Sequence, residues 1–255
     1  MIRAAVVVGA CLLVAFIVVP LIGLALHVGP QEFAAIVTPV AATAFRLSLV
    51  TTVIALAITL LLGTPLAYVL ARVEFPGRRI VDALVDLPIV IPPAVAGLSL
   101  LLVFGRNGTF GPLLHIFGIQ LTFTTAAVVM AQVFVSSPFY VRAARAGLAT
   151  VDRQLEAASQ TLGMGPLRTF AFVTIPLAAP ALLGGALLSW ARALGEFGAT
   201  IMFAGNLIGV SQTLPLAVYL NLESGNLPVA TALSIALIAV SLIVITLVRL
   251  VERRR

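Results

Sequence analysis

The chain has 255 residues, of which 61% are hydrophobic and 9% charged, with a formal net charge of +6. Soluble domains carry about 25% charged residues, so a surface built from this sequence cannot face water throughout and must largely face lipid. Each bilayer crossing uses about 20 apolar residues, so about six crossings with their loops consume the whole length and leave no room for a separate catalytic domain.

All fifteen basic residues are arginines. A pI near 11.0 would suit a nucleic-acid partner, but the arginines are spread between apolar runs and form no patch interleaved with aromatics. They read as topology signals, and no nucleic-acid partner is expected. Cys11 is the only cysteine, which excludes an intrachain disulfide and a cysteine metal site.

In chain order, apolar stretches predict spans at about 4–28, 43–71, 81–104, 122–141, 177–203 and 227–249. Arg3 before the first run, and Val8-Gly9-Ala10-Cys11 within it, touch on a signal peptide or a lipidation box. Both need a short apolar region of about 7–15 residues, whereas this run continues well past Cys11, so a first span is the plain reading. The second stretch is longer than a crossing needs and is expected to tilt or to project from the lipid. Arg46 lies near its outer end and is read as snorkelling to the interface.

The third stretch holds Pro88, Pro92 and Pro93. Each removes a backbone donor and frees a carbonyl, and such breaks survive at membrane depth only against protein or a water-filled cavity. The segment therefore either lines a pathway or packs as a kink. The fifth stretch is disturbed at its start by Pro176 and Pro180 and interrupted by Arg192 and Glu196. A charge at mid-bilayer costs about 2.5–3.5 kcal/mol on insertion scales, so both must face the bundle or water, and their i,i+4 spacing puts them on one face. They form an internal salt bridge, or Arg192 offers a cationic contact.

Loop arginines set the orientation. With the N-terminus inside, Arg3, Arg72, Arg78, Arg79, Arg142, Arg145, Arg153, Arg168, Arg249, Arg253, Arg254 and Arg255 all fall inside, and only Arg106 falls in an outer loop. A multi-pass membrane protein with both termini cytoplasmic is the expectation. The outer segment 204–226 is polar, with Asn206, Gln212, Asn221, Glu223 and Asn226. The inner segment 142–176 is long and amphiphilic. Within it Asp152 can cap a short helix over about 153–162, which Gly163, Gly165 and Pro166 end. Its small residues Ala157, Ala158 and Ser159 suit a partner's groove, or the helix lies on the membrane surface.

No enzyme signature is present. A phosphate loop needs a lysine that the chain lacks, there is no H-E-x-x-H, and His27 and His115 stand far apart and read as solvated loop residues. Cys11 and the scattered serines have no base nearby in sequence. No catalytic residue, metal or cofactor is expected.

Segment 151–176 resembles the coupling loop of ABC-importer permeases, whose motif is EAA, three residues, Gly, nine residues, then Ile-x-Leu-Pro. Gly163, Val173, Ile175 and Pro176 keep that spacing, whereas the motif's Glu falls on Ala157 and Glu156 stands one position early. The resemblance implies contact with an ATPase through Glu156, Ala157, Ala158, Ser159, Leu162 and Gly163, in a loop at about 150–168. The run from Asp86 to Gly97, continued by Gly105-Arg106-Asn107-Gly108, resembles the sulfate/molybdate permease group. The run from Ala191 to Thr200 is similar to the molybdate branch, as are Ala204-Gly205-Asn206 and Gln212-Thr213-Leu214-Pro215-Leu216.

This resemblance implies an all-α integral membrane fold of binding-protein-dependent permease type, a single domain of about six transmembrane helices with a cytoplasmic coupling helix. It implies a homodimer served by two cytoplasmic ATP-binding cassette subunits and an extracytoplasmic oxyanion-binding protein, with molybdate as cargo or, alternatively, sulfate, thiosulfate or tungstate. Pro92, Pro93, Gly97, Arg192, Glu196 and Thr200 are the expected pathway-lining residues. A secondary transporter would instead carry inverted repeats and coupling-ion carboxylates at the midplane, where only Glu196 qualifies. A non-transporting scaffold would have no need of the proline-broken span.

Overall fold

The computed structural model describes residues 2–27, 29 and 38–253. Its regular structure is helical throughout the described residues: α1 (Ile2–Leu26), α2 (Pro39–Arg72), α3 (Arg78–Val90), α4 (Pro93–Phe104), α5 (Gly111–Ile116), α6 (Thr125–Thr150), α7 (Arg153–Thr161), α8 (Pro166–Leu194, with a π turn at Phe170–Thr174), α9 (Gly198–Ala204), α10 (Leu214–Glu223) and α11 (Leu227–Arg253). Among them α1, α2, α6, α8 and α11 are long and apolar enough to cross a membrane, and α3 with α4 forms a sixth, bent candidate.

The stretch 81–104 is broken, as its prolines suggest: α3 and α4 meet at 115°. A residue that precedes a proline is pushed out of the helical region. Ile91 precedes Pro92 and Pro92 precedes Pro93, and both are extended, with ψ of 142° and 137°. Pro88, a lone proline, stays inside α3. Two expectations about the spans need correction. The stretch 177–203 starts earlier, at Pro166, and stops at Leu194 before α9. Pro176 does not delay its start, because the π turn precedes it and the Ile175 N–H donates to the Phe170 carbonyl five residues back. The stretch 122–141 continues as helix to Thr150. Arg142 and Arg145, on this extension, pair with Asp86 and Asp82 of α3. The segment 142–176 thus shrinks to a short connection that carries α7.

Helix α6 is the centre of the molecule, flanked by α2 and α8 on one half and by α4 and α9 on the other. On the first half Ala67, Leu70, Tyr140, Val141, Ala144, Leu148 and Ala178 form a buried cluster. On the second, Ala96, Leu100, Ala127, Val128, Ala131, Ala199 and Phe203 do the same. Alanine is the commonest residue in both clusters. Lipid tails are as apolar as any side chain, so helices associate in a membrane through close backbone approach and interhelical hydrogen bonds. Such bonds are present: Trp190 Nε1 donates to Thr52 Oγ1 (3.1 Å), Ser189 Oγ to the Ser136 carbonyl (3.0 Å) and the Leu214 N–H to Ser48 Oγ (2.7 Å). Helix α1 has an exposed apolar surface that includes Leu12, Phe16 and Val19, as a lipid-facing helix requires.

Candidate functional site: a double break and an anchored loop helix

The break between α8 and α9 sits against the break between α3 and α4. A Cβ on Gly198 would lie 2.8 Å from Pro93 Cβ, and a Cβ on Gly97 would lie 2.6 Å from the Ala199 carbonyl oxygen. Only glycine permits this approach at both places. Glu196 lies within the break and is 1% exposed. Its Oε1 accepts the Ala199 N–H at 2.8 Å, which satisfies one free donor at the start of α9. Its Oε2 lies 2.8 Å from Arg192 Nη1, close but poorly aligned for a hydrogen bond, so charge holds the pair together.

The two charges therefore form the internal salt bridge that their spacing allowed. The Arg192 side chain remains 28% exposed, so its guanidinium keeps a face that Glu196 does not cover. Thr200 is fully buried, and its hydroxyl has no hydrogen-bond partner among the described residues. The same holds for Gln132 Oε1 and Ser136 Oγ on α6. Of the residues expected to line a pathway, Pro93, Gly97, Arg192, Glu196 and Thr200 belong to this junction. Pro92 and Pro93 lie on the outer surface of the chain, whereas Gly97 is buried as a helix–helix contact. Arg46 is exposed, in a shallow pocket with Thr43, Leu47, Val50 and Gly209.

The loop helix α7 is built as its sequence suggested. Asp152 Oδ1 accepts the Gln154 N–H at 2.8 Å. At the other end Gly163 adopts φ +91°, and the N–H groups of Gly163 and Met164 reach the Gln160 and Ser159 carbonyls. These paired bonds with a left-handed glycine form a Schellman cap. Ala157, Ala158, Leu162 and Gly163 face outward, with Leu162 87% exposed and Leu167 projecting nearby.

Glu156 and Ser159 do not share that outward face; both turn toward the bundle. Ser159 is 7% exposed, donates to the Glu156 carbonyl and meets Thr169 Oγ1 at 2.9 Å. Glu156 Oε1 accepts from Thr174 Oγ1 (2.7 Å) and from Arg72 Nη2 (3.2 Å). Arg72 also donates to the Val151 carbonyl at 2.8 Å, while Arg153 donates to the Arg72 carbonyl at 3.3 Å. Sequence reasoning placed Arg72 only as an inside charge and did not single out Thr174. Helical periodicity is the one signal that bears on this: Glu156 and Ser159, three apart, share a face of α7. Nothing in the sequence pairs that face with a residue 84 positions earlier.

A small-residue helical bundle of membrane-crossing length, with a proline-broken span docked on a buried charge pair and a capped loop helix tied to the helix ends, defines a multi-pass transport protein. Residues 63–255 match the family described as the binding-protein-dependent transport system inner membrane component, and the chain belongs to that family as an ABC-importer permease subunit. It is 41% identical over 233 residues to the molybdenum transport system permease protein ModB of Mycobacterium bovis, covering 91% of this chain and 88% of that one. It is 43% identical over 205 residues to the probable transport system permease protein NifC of Clostridium pasteurianum (80% and 71% covered). The sulfate transport system permease protein CysT of Salmonella typhimurium is 35% identical over 224 residues (88% and 81% covered). In fold the chain is similar to a bacterial ABC transporter involved in the import of the acidic polysaccharide alginate, with a TM-score of 0.79, 17% identity, and 99% and 95% of the two chains covered.

Proposed function

We propose that this permease carries molybdate inward as a homodimer, with two ATP-binding cassette subunits docked on α7 and an oxyanion-binding protein delivering cargo at the opposite face. The observation that carries the coupling role is the outward surface of α7. Ala157, Ala158, Leu162 and Gly163 form a low, apolar face on a helix fixed firmly to the bundle, as a helix received into a partner's groove requires. The chain has no lysine for a phosphate loop, so the force of ATP hydrolysis enters through such a contact. The arginine asymmetry supports a cytoplasmic side for α7 and both termini.

The pathway runs past Pro92, Pro93 and Arg192, with Glu196 and Thr200 buried behind them. Arg192 offers positive charge to a tetrahedral dianion, and Glu196 tempers it. A bare deep cation would hold a dianion and slow its release. The tempered pair attracts cargo without trapping it and leaves strong selection to the binding protein.

The higher identity and coverage with the molybdenum permease favour molybdate, and the likeness to the sulfate permease keeps sulfate as the second reading. A deletion strain grown with scarce molybdate tests the cargo. Loss of high-affinity radiolabelled molybdate uptake with sulfate uptake intact is expected; normal molybdate uptake with loss of sulfate uptake would reverse the assignment.

A further inference from the structure

We infer that Glu156 is the internal tie through which movement of the loop helix reaches the membrane helices, and not itself a contact with the ATPase. The inference rests on the coupling role proposed above for α7. Two sets of interactions keep this helix in place. Its caps, at Asp152 and Gly163, bond within the loop and maintain its helical form. They transmit nothing to the bundle. The attachment is made instead by Glu156 and Ser159 on the inward face, with Arg153 adding a longer bond to the Arg72 carbonyl at 3.3 Å.

Glu156 joins three elements at one carboxylate oxygen. Arg72 is the last residue of α2, a helix of 34 residues that reaches across the bundle. Thr174 is the last residue of the π turn in α8. A π turn already departs from the regular i→i−4 ladder, so α8 has a built-in place to bend where Glu156 grips it. Arg72 in turn holds the Val151 carbonyl, at the exit of α6, so α6 joins the same knot. Both charged side chains are largely buried, which strengthens their attraction over that of a surface pair. A displacement of α7 is therefore delivered to the ends of α2, α6 and α8 together, whereas without the tie only the Arg153 bond to the Arg72 carbonyl and the neutral Ser159–Thr169 contact would join α7 to those helices. Ser159 with Thr169 adds a second, neutral fastening at the start of α8.

The test uses the full importer complex, purified in detergent and reconstituted in liposomes with its binding protein. Glu156→Gln preserves shape and removes the charge. Thr174→Val, on the membrane helix and away from the docking face, removes one hydrogen bond. If Glu156 acts as the tie, both variants retain the ATPase at wild-type stoichiometry. Anion transported per ATP hydrolysed then falls about fivefold or more for Glu156→Gln and less for Thr174→Val, on the scale of couplings within one hydrogen-bonded network. Loss of the ATPase from a stably folded Glu156→Gln permease would overturn the inference and make Glu156 a partner contact. Unchanged transport per ATP in either variant would overturn it as well. Should Glu156→Gln fail to fold, Thr174→Val alone decides by the same two readouts. A wild-type permease that retains no ATPase would overturn the importer reading itself, an outcome distinct from either.

Discussion

Gly97 of α4 and Ala199 of α9 are in backbone contact: a methyl group on Gly97 would lie 2.6 Å from the Ala199 carbonyl oxygen and 2.7 Å from Met202 Cβ. The obstructing atom is backbone, which cannot swing aside as a flexible side chain would. Gly97→Ala is therefore expected to destabilise the permease by about 1–3 kcal/mol, the usual effect of overpacking a tight contact. Gly9→Ala, on α1 with nothing within 4 Å of its Cβ, serves as the control and should leave stability unchanged. Thermal unfolding in detergent compares the two; equal midpoints would mean that α4 and α9 are not locked together.

Arg192 and Glu196 are separable by a double-mutant cycle. Arg192→Gln leaves the Glu196 carboxylate buried without its partner, a loss of about 3 kcal/mol at the low end for buried pairs, since Arg192 itself is partly exposed. Adding Glu196→Gln should recover most of that stability, because the amide oxygen can still accept the Ala199 N–H. The assembled double variant should nevertheless transport less anion, since the cation is gone. Full transport by that variant would reduce the pair to a structural role.

Gly163 separates docking from folding. A Cβ there meets nothing within 4 Å, so a larger residue suffers only from the left-handed φ of +91°. For an L-residue that conformation costs about 1–2 kcal/mol, and asparagine tolerates it best. Gly163→Asn should retain the ATPase on co-purification, whereas Gly163→Arg should insert in the membrane and lose it. Full ATPase stoichiometry in the Gly163→Arg complex would show that the partner does not sit on this end of α7.

The orientation is testable with single cysteines in a Cys11→Ser background. Asn107 and Gln160 are both exposed, whereas Ser159 is buried and a side chain on Gly108 would meet the Leu102 carbonyl. Cysteine at Asn107 should react with an impermeant thiol reagent from outside the cell, and cysteine at Gln160 only after lysis. The reverse pattern would invert the topology and remove the ATPase from α7.

Local chemistry was the most legible part of this protein. The Asp152 cap and the Gly163 stop depend on residues within one or two turns and stand where the sequence placed them, while Arg192 and Glu196 pair as their spacing allowed although Glu196 lies in the break beyond the end of α8. The ends of the spans were harder. Hydropathy ended one span at 141 because arginines follow, yet α6 runs on to Thr150 with Arg142 and Arg145 facing Asp86 and Asp82 on α3. Charge marks where lipid ends, and a helix is free to continue beyond that point when a neighbour pairs with the charge.

The sequence by itself determined that the chain is a helical membrane protein, because too few charges and too many long apolar runs admit no other solvent than lipid for most of its surface. It also determined that Pro92-Pro93 breaks a span, because consecutive prolines forbid a continuous helix whatever surrounds them. Only the tertiary structure decided which way Glu156 points, and that the break at Pro93 docks on the break at Gly198. A helix has an inward and an outward face with the same local geometry, and the choice between them rests on partners 84 and 18 residues away, Arg72 and Thr174, that only folding brings to the same carboxylate oxygen.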